Sequence, residues 1–287
     1  MIVSVSRRTD IPAFYMDWFM NRVRAGYALT RNPINYSQIR RVSLLPSDVD
    51  CLVFWTKDPR GLIPCLSELD ARGFASYIQF TMTPYGPEIE PGLRDKEALV
   101  DAFIRLGELA NRERLVWRYD PILLWRGIDE SYHAAAFEKL CRRLHPYTDT
   151  VVISFVDEYA KARHPAVRTV PKEIQFSLAR RFAQIGSAYG LAVTTCCEAL
   201  DLRSYGVGPA CCVDKNRIEG LLGRPLAVKP EKSQRPGCHC AASVDIGAYN
   251  TCPHGCVYCY ANHSQRSVAE NCQRHRPDGE FLLGEKT

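Results

Sequence analysis

Short apolar runs alternate with longer amphipathic stretches over roughly the first 200 residues of the chain. The short runs are rich in β-branched and aromatic residues and end at polar, proline or glycine positions, which is typical of buried strands. We predict strands at 2–6, 51–56, 76–82, 115–119, 151–156 and 191–196. The amphipathic stretches between them predict helices at 12–25, 60–71, 95–110, 130–144 and 172–189.

Strand–helix units repeated in this order favour a parallel α/β fold, because near-continuous apolar strands are typical of sheets buried on both faces. We expect a partial parallel (βα) barrel of about six units. A doubly wound open sheet is the alternative, but no glycine-rich phosphate-binding sequence follows a predicted strand, which disfavours dinucleotide binding. From about residue 199 onward, the periodic pattern of apolar residues fades. We therefore predict a barrel-like domain at 1–198 and a cysteine-rich region at 199–287 that folds over the carboxyl ends of the strands.

Charged residues follow each predicted strand. Barrel enzymes carry their chemistry on the loops after the carboxyl ends of the strands, so this recurrence predicts a polar site at the mouth. The candidate catalytic or substrate-binding residues are Arg7, Arg8, Asp10, Lys57, Arg118, Asp120, Asp157 and Glu198. The cations suit carboxylate or phosphate groups, and the carboxylates suit ribose hydroxyls or proton transfer. Helix capping or ion pairing is the alternative role for each of them.

The net charge of the chain narrows the class of partner. The formal charge is +5 and comes from scattered arginines, which permits an anionic small-molecule substrate without requiring nucleic acid. The amino-terminal sequence lacks a charged leader followed by a long apolar stretch. No apolar run approaches the roughly 20 residues that cross a bilayer. We expect a cytoplasmic protein that does not bind membranes.

Cysteine content is the strongest compositional signal. Of 13 cysteines, 10 lie at or beyond Cys196. Disulfides are rare in the cytosol, and an odd number of cysteines weakens a disulfide framework further. Ligation of a metal or an iron–sulfur cluster explains the enrichment better.

The densest motif has the pattern C-x3-C-x2-C and consists of Cys252, Cys256 and Cys259. Pro253 and Gly255 bend the loop, so that the three thiolates can converge on one side of a four-iron cluster and leave one iron open. Zinc prefers four ligands, commonly from two C-x2-C pairs, and only the last two cysteines of this motif have that spacing. The motif therefore predicts a 4Fe-4S cluster.

With Tyr258 directly before the last cysteine, this motif resembles the signature of the radical S-adenosylmethionine superfamily, and its CVYCY ending is similar to that of spore photoproduct lyases. The resemblance implies that the open iron chelates S-adenosylmethionine, whose reductive cleavage gives a 5′-deoxyadenosyl radical. It also implies a reductant such as flavodoxin or ferredoxin. Tyr258, Asn250 and Asn262 are the cofactor-binding candidates. In that superfamily the motif follows the first strand, so its late position here implies either circular permutation or an extension that folds back.

A second group contains six cysteines, enough for a fully ligated auxiliary cluster or a structural zinc site. They are Cys196, Cys197, Cys211, Cys212, Cys238 and Cys240. Adjacent residues of an extended chain point to opposite sides, so we expect Cys197 and Cys211 to face away from the others.

Four segments resemble the DUF1848 family: VSVSRRTDIP at 3–12, FWTKDP at 54–59, WRYDP at 117–121, and residues 245–262 around the three-cysteine motif. The resemblance covers nearly the whole chain. It implies that the second ligand set is Cys196, Cys212, Cys238 and Cys240. The family name supplies no substrate.

These observations together predict an iron–sulfur enzyme of the radical S-adenosylmethionine type, with one 4Fe-4S cluster and a second four-cysteine site. One alternative is an iron–sulfur protein that transfers electrons or uses its cluster to order a nucleic-acid-binding surface. The other is a barrel enzyme with a structural zinc site.

Overall fold

The computed structural model describes residues 1–158, 164–231 and 237–284. Its strands are β1 Ile2–Val5, β2 Tyr27–Arg31, β3 Ile39–Ser43, β4 Cys51–Thr56, β5 Ser76–Thr81, β6 Leu115–Ile122, β7 Thr150–Phe155, β8 Ala192–Thr195, β9 Gly208–Pro209 and β10 Ser243–Asp245. Its α-helices are α1 Ile11–Phe14, α2 Met16–Ala25, α3 Leu66–Ala71, α4 Lys96–Ala110, α5 Glu130–Leu144, α6 Lys172–Ala188, α7 Lys215–Leu222 and α8 Gln265–Arg274.

Eight of the strands form one sheet in the order β10-β1-β4-β5-β6-β7-β8-β9, and every neighbouring pair is parallel. β2 and β3 form a separate antiparallel hairpin. The parallel α/β class predicted from the sequence is therefore confirmed. No ladder joins β9 to β10 within the described residues, so the hydrogen bonding does not close this sheet into a barrel.

The six predicted strands are all present, and their ends lie within three residues of the predicted ones. The predicted helix at 12–25 is divided at Tyr15, whose φ of −135° and ψ of 22° lie outside the helical region. The predicted helix at 60–71 begins with a 3₁₀ turn at Ile63–Cys65. The helices at 95–110, 130–144 and 172–189 are confirmed, and Asp95 and Asp129 cap the first two by accepting backbone hydrogen bonds.

Buried residues form two groups on opposite faces of the sheet. The larger group packs strand residues against the helices, where Trp117, Phe137 and Phe182 stack with centroid distances of 5.1 and 4.0 Å. The smaller group occupies the other face, and it joins strand residues such as Tyr77 to residues of the segment after β9, such as Val213. Both faces of the sheet are thus covered, as is usual for parallel strands.

Two strands of the sheet, β9 and β10, come from the predicted cysteine-rich region. β10 pairs with β1, with Ile2 opposite Ser243 and Ser4 opposite Asp245. The division of the chain near residue 198 stays a prediction. No helix of the described residues is both long enough and apolar enough to cross a bilayer.

Candidate functional site

A cavity of about 470 Å³ lies at the carboxyl ends of the parallel strands. Strand side chains on its surface include Trp55 of β4, Thr81 of β5, Arg118 of β6 and Ser154 of β7. Because side chains alternate along a strand, these residues share a face with apolar residues nearer the amino ends, such as Tyr77. That face of the sheet therefore changes from apolar to polar towards the strand ends.

All the predicted cysteine ligands line this cavity, together with most of the predicted catalytic residues. The cysteines are Cys196, Cys212, Cys238, Cys240, Cys252, Cys256 and Cys259. The charged residues are Arg7, Arg8, Asp10, Lys57, Arg118, Asp120 and Asp157. Tyr258 lines it as well. Residues from both predicted regions of the chain thus meet on one surface.

Glu198, Asn250 and Asn262 do not line this cavity. The Glu198 carboxylate accepts a hydrogen bond from the backbone nitrogen of Phe155 at 2.9 Å. Asn262 donates through Nδ2 to the carbonyl of Cys252 at 2.7 Å, and Asn250 lines a different cavity. Glu198 and the two asparagines therefore lie outside this cavity, and their predicted roles stay predictions.

The loop with Cys252, Cys256 and Cys259 follows β10 directly and rests on the segment before α4. The nitrogen of Gly92 donates to the carbonyl of His254 at 2.8 Å, and the nitrogen of Val257 donates to Ile89 at 3.0 Å. Across the base of the loop, the nitrogen of Asn250 donates to the carbonyl of Ala261 at 3.0 Å. The loop thus continues a sheet strand and has a fixed backbone.

Burial raises the pKa of each of the three thiols in this loop. For Cys256, burial raises the pKa to about 12, and the positive charge of Lys57 acts in the opposite direction. For Cys252, the charges of Asp10, Cys256 and Cys259 add to the effect of burial. The sulfurs are therefore close enough to repel one another as thiolates. Three such thiols ionise together only when a cationic partner compensates for their charge.

His254, inside the loop, contacts the residue that caps α1, Asp10. Its Nε2 lies 2.9 Å from Oδ2 of Asp10, and its ring packs against Phe14 with centroids 4.7 Å apart. Asp10 also accepts hydrogen bonds from the Thr56 hydroxyl at 2.8 Å and from the Lys57 nitrogen at 2.7 Å. Asp10, at the start of α1, therefore connects that helix and the end of β4 to the cysteine loop. The contact of His254 with Asp10 was not predicted, because nothing in its neighbourhood along the chain indicates this hydrogen-bonding partner.

The buried carboxylate of Glu90 accepts several hydrogen bonds beside the cysteine loop. Lys57 Nζ lies 2.9 Å from its Oε1, the Thr83 hydroxyl donates to it at 2.8 Å, and Lys96 and the Tyr258 hydroxyl are further donors. Burial acts to raise the pKa of Glu90, but the two lysines outweigh it and lower the pKa to about 2. Lys57, Lys96 and Glu90 together carry a net charge of +1 beside the cysteines. Sequence reasoning missed Glu90 because it follows no strand directly.

The second thiol set brings together three separate segments. Cys196 follows β8, Cys212 follows β9 and Cys240 precedes β10. The sulfurs of Cys196 and Cys212 are 2.7 Å apart, and the Cys240 thiol interacts with both. Arg118 Nη1 lies 3.2 Å from the sulfur of Cys212.

Hydrogen bonds from the thiols of Cys196 and Cys240 lower the pKa of Cys212, and the charge of Arg118 acts in the same direction. The pKa of Cys196 is raised, chiefly because its proton is shared with Cys212. Arg118 and the neighbouring thiols of Cys196 and Cys240 thus favour negative charge on Cys212. Arg118 is itself paired with Asp120, its Nε lying 3.1 Å from Oδ2.

Across the described ranges, no group of three or more His, Cys, Asp or Glu side chains has the arrangement of a site for a single metal ion. The Cys196 and Cys212 sulfurs, at 2.7 Å, are closer than the ~3.8 Å expected between two thiolates bound to one tetrahedral zinc.

The two remaining cysteines of this group behave differently. Cys197 lines the cavity, contrary to the expectation that it faces away. Its φ of 59° is left-handed, so the alternation of an extended strand does not extend to it. The Cys211 thiol instead contacts the carbonyl of His239 at 3.2 Å, outside the cavity.

Comparisons with known proteins place the chain in a family. No curated protein matches it. Among solved structures, a candidate α-L-fucosidase from Bacteroides thetaiotaomicron VPI-5482 is similar at 10% identity, over 71% of this chain and 78% of that chain, with a TM-score of 0.26. The DUF1848 family model, described as a domain of unknown function, matches residues 2–261. The chain therefore belongs to the DUF1848 family.

Proposed function

We propose that the protein is an iron–sulfur enzyme of the radical S-adenosylmethionine type, with a 4Fe-4S cluster on Cys252, Cys256 and Cys259. The observation that carries the proposal is the shared cavity: both thiol sets and the predicted charged residues line one space at the carboxyl ends of a parallel sheet. Active sites of parallel α/β proteins lie at this edge.

The donor set fits such a cluster. Three thiols lie on one braced loop and line the cavity, and soft thiolates are the ligands that iron–sulfur clusters take. Lys57, paired with Glu90, adds positive charge near Cys256, which favours thiolates there. When bound, the cluster supplies the electron that cleaves S-adenosylmethionine to methionine and a 5′-deoxyadenosyl radical.

The protein's own part is to hold the reactants and exclude water. The Tyr258 hydroxyl donates to Glu90, and the Tyr258 ring lies beneath Lys57 with Nζ 5.3 Å from its centroid. Its hydroxyl is thus engaged, which leaves its ring edge and backbone to contact the adenosyl group.

Of the four predicted cations, Arg7 is the one that we assign to an anionic group of cofactor or substrate. Lys57, Arg8 and Arg118 each have a carboxylate within 4.0 Å. In the described part of the chain Arg7 has none; its guanidinium lies 3.4 Å from the Ser243 hydroxyl and 5.8 Å from the centroid of Trp55. A guanidinium on a cavity surface without a counter-ion suits a carboxylate or phosphate.

We propose further that the sheet is an incomplete barrel whose gap is covered by the second thiol set. β10 lies beside β1, as the last strand of a barrel does, and the chain between β9 and β10 carries Cys212, Cys238 and Cys240. The nitrogen of Ala241 donates to the carbonyl of Val213 at 2.9 Å across this gap. The position of the cysteine loop directly after β10 favours circular permutation over a folded-back extension.

An auxiliary cluster or a zinc ion on Cys196, Cys212, Cys238 and Cys240 would join β8 to both sides of the gap. Arg118, beside Cys212, supplies charge that favours thiolates there. Iron, sulfide and zinc analysis of the protein distinguishes the two occupants.

The test of the main proposal uses anaerobically reconstituted protein, S-adenosylmethionine, and dithionite or reduced flavodoxin. We expect 5′-deoxyadenosine by mass spectrometry from the wild type and none from Cys256→Ala. Cys65→Ala is the matched control, because Cys65 is half-buried away from the cavity. Absence of 5′-deoxyadenosine from protein with about four irons at this loop would reject the radical reaction. A colourless protein that binds only zinc would reject the cluster.

A further inference from the structure

A second cavity, of about 250 Å³, is lined by the β2–β3 hairpin and by the segment that connects β10 to the cysteine loop. Arg8 lines both cavities, so the two lie next to each other. No Asp or Glu is among the described residues that line the second one. The ligand that this second cavity would bind does not depend on an iron–sulfur cluster in the first.

The polar lining of this cavity is cationic. Arg31 has no carboxylate within 4.0 Å among the described residues; its Nη1 donates to the carbonyl of Tyr36 at 3.1 Å. Its guanidinium also lies 4.4 Å from the ring centroid of Phe281. Arg8, on the opposite side, lies over Tyr249 at 5.4 Å. Arg8 is paired with Asp245 at 4.0 Å, so Arg31 is the guanidinium that remains for an oxyanion in a space that no described Asp or Glu lines.

Flat rings accompany these cations. The rings of Tyr249 and His263 are nearly parallel, at 17°, with centroids 6.1 Å apart. Tyr36 lines the cavity and is 58% exposed, so its ring is available to a ligand. Asn250 and Asn271 add amide groups to the same wall. Rings and amides next to guanidiniums are the groups with which proteins bind a base and its phosphate.

The outer face of the hairpin extends this surface beyond the cavity. Arg40 and Arg41 are exposed and have no carboxylate within ion-pair distance in the described ranges. Ile34 and Ile39 are exposed as well, at 96% and 52%. A ligand longer than one nucleotide would meet more positive charge and more apolar contact surface here.

We propose that this cavity and hairpin bind single-stranded nucleic acid, with one nucleotide inside the cavity. The phosphate lies at Arg31, and the base packs on Tyr36 or Tyr249. The absence of acidic lining residues and the exposed arginines of the hairpin favour a strand over a neutral metabolite. Because Arg8 also lines the main cavity, a nucleic-acid strand bound in the second cavity would pass the rim of the main cavity.

The test is fluorescence anisotropy of the full-length protein with fluorescein-labelled 12-mers of thymidylate and uridylate. We expect Arg31→Gln to weaken binding about tenfold and to reduce the slope of log K against log salt by about 0.7. Tyr36→Ala should weaken binding at least about fivefold through lost stacking. Arg105→Gln, an exposed arginine on α4, is the matched control and should change neither quantity.

Any of four outcomes would overturn the proposal. The first is no binding of either 12-mer at low salt, and the second is an equal loss of affinity in the Arg31 and Arg105 variants. The third is displacement of the 12-mer by uridine monophosphate at equal concentration, which would assign the site to free nucleotides. Binding to phosphatidylserine vesicles but to neither 12-mer would also reject it, in favour of a membrane surface. None of these assays requires cleavage of S-adenosylmethionine, so this proposal and the proposed function can fail independently.

Discussion

His254 Nε2 lies 2.9 Å from Asp10 Oδ2, and this contact joins the middle of the three-cysteine loop to the start of α1. The same carboxylate also accepts hydrogen bonds from Thr56 and from the Lys57 nitrogen. Asp10, which its position in the sequence favoured as a catalytic carboxylate, therefore has a place in the architecture of the site.

We expect Asp10→Asn to lower the free energy of unfolding by about 2–3 kcal/mol, because several hydrogen bonds to a buried charged acceptor are weakened. Less iron should be retained per chain, since the cysteine loop loses its anchor. Urea unfolding and iron analysis after reconstitution measure the two effects. Asp17→Asn, at an exposed position of α2, is the control. Equal iron content in the two variants would contradict the anchoring role.

Glu90→Gln should destabilise the protein in a pH-dependent way. The pKa of Glu90 is lowered from 4.5 to about 2 in the folded protein, so the charged form contributes roughly 3 kcal/mol to stability. This contribution is present above about pH 4.5 and is lost as the pH falls towards 2. Urea unfolding should therefore show a large difference between wild type and variant at pH 7 that narrows below pH 4.5. A difference independent of pH would argue against an ionised Glu90.

Gly92→Ala should displace the cysteine loop. An added Cβ at residue 92 would lie 2.6 Å from the carbonyl oxygen of His254 and 2.7 Å from that of Pro253, and backbone atoms cannot yield without moving the loop. We expect at least a severalfold loss of bound iron. Gly220→Ala is the matched control: residue 220 lies in α7 with no atom within 4 Å of the added Cβ. That substitution should stabilise the helix by about 0.5–1 kcal/mol.

Cys212→Ser and Cys211→Ser form a matched pair of neighbouring substitutions. Cys212 is part of the contact group with Cys196 and Cys240, whereas the Cys211 thiol contacts a backbone carbonyl outside the cavity. We expect the first substitution to remove the metal of the second site and to lower the midpoint of thermal unfolding. The second should leave both unchanged. Metal analysis by mass spectrometry with circular dichroism provides the measurement, and equal effects would refute the assignment of ligands.

Substitution of two arginines that line the main cavity should affect different properties of the protein: its stability for Arg118 and its reaction for Arg7. Arg118 is buried and paired with Asp120, so Arg118→Gln should cost about 3–5 kcal/mol of stability. Arg7→Gln should change stability by no more than about 0.5 kcal/mol, because the guanidinium has no ion-pair partner in the described ranges. It should instead reduce the yield of 5′-deoxyadenosine or of substrate product. A stability loss for Arg7→Gln as large as that of Arg118→Gln would show a structural role.

Local pattern was sufficient for the parts of the fold whose residues are close in sequence. The strand residues 51–56 are apolar and continuous, and the strand Cys51–Thr56 has those bounds in the structure. The helix at 130–144 was equally clear, since its cap and apolar periodicity lie within the segment itself. The grouping of Cys196, Cys212 and Cys240 around one cavity was anticipated through a resemblance to family sequences, not through spacing.

Features that depend on distant partners were not predicted. β9 is two residues long and β10 is three, too short for a recognisable pattern, and both exist because a neighbouring strand offers hydrogen bonds. Glu90 and Lys96 were likewise missed, since their roles follow from burial beside Tyr258. The side chains of Asn250 and Asn262, which the sequence predicts as cofactor contacts, hydrogen-bond to backbone groups of the cysteine loop and its flanking segment, which pattern along the chain does not indicate.

The pairing of β10 with β1 has a consequence for the synthesis of the protein. Asp245 of β10 and Ser4 of β1 are joined by a hydrogen bond between residues 241 apart in the chain. At ~5–20 residues per second on the ribosome, β1 leaves the exit tunnel roughly 10–50 s before its outer neighbour is made. During that interval one edge of β1 is unpaired, and an unpaired strand edge promotes aggregation. The cysteine loop is made later still, so the proposed cluster could assemble on it only after all eight strands of the sheet have been synthesised.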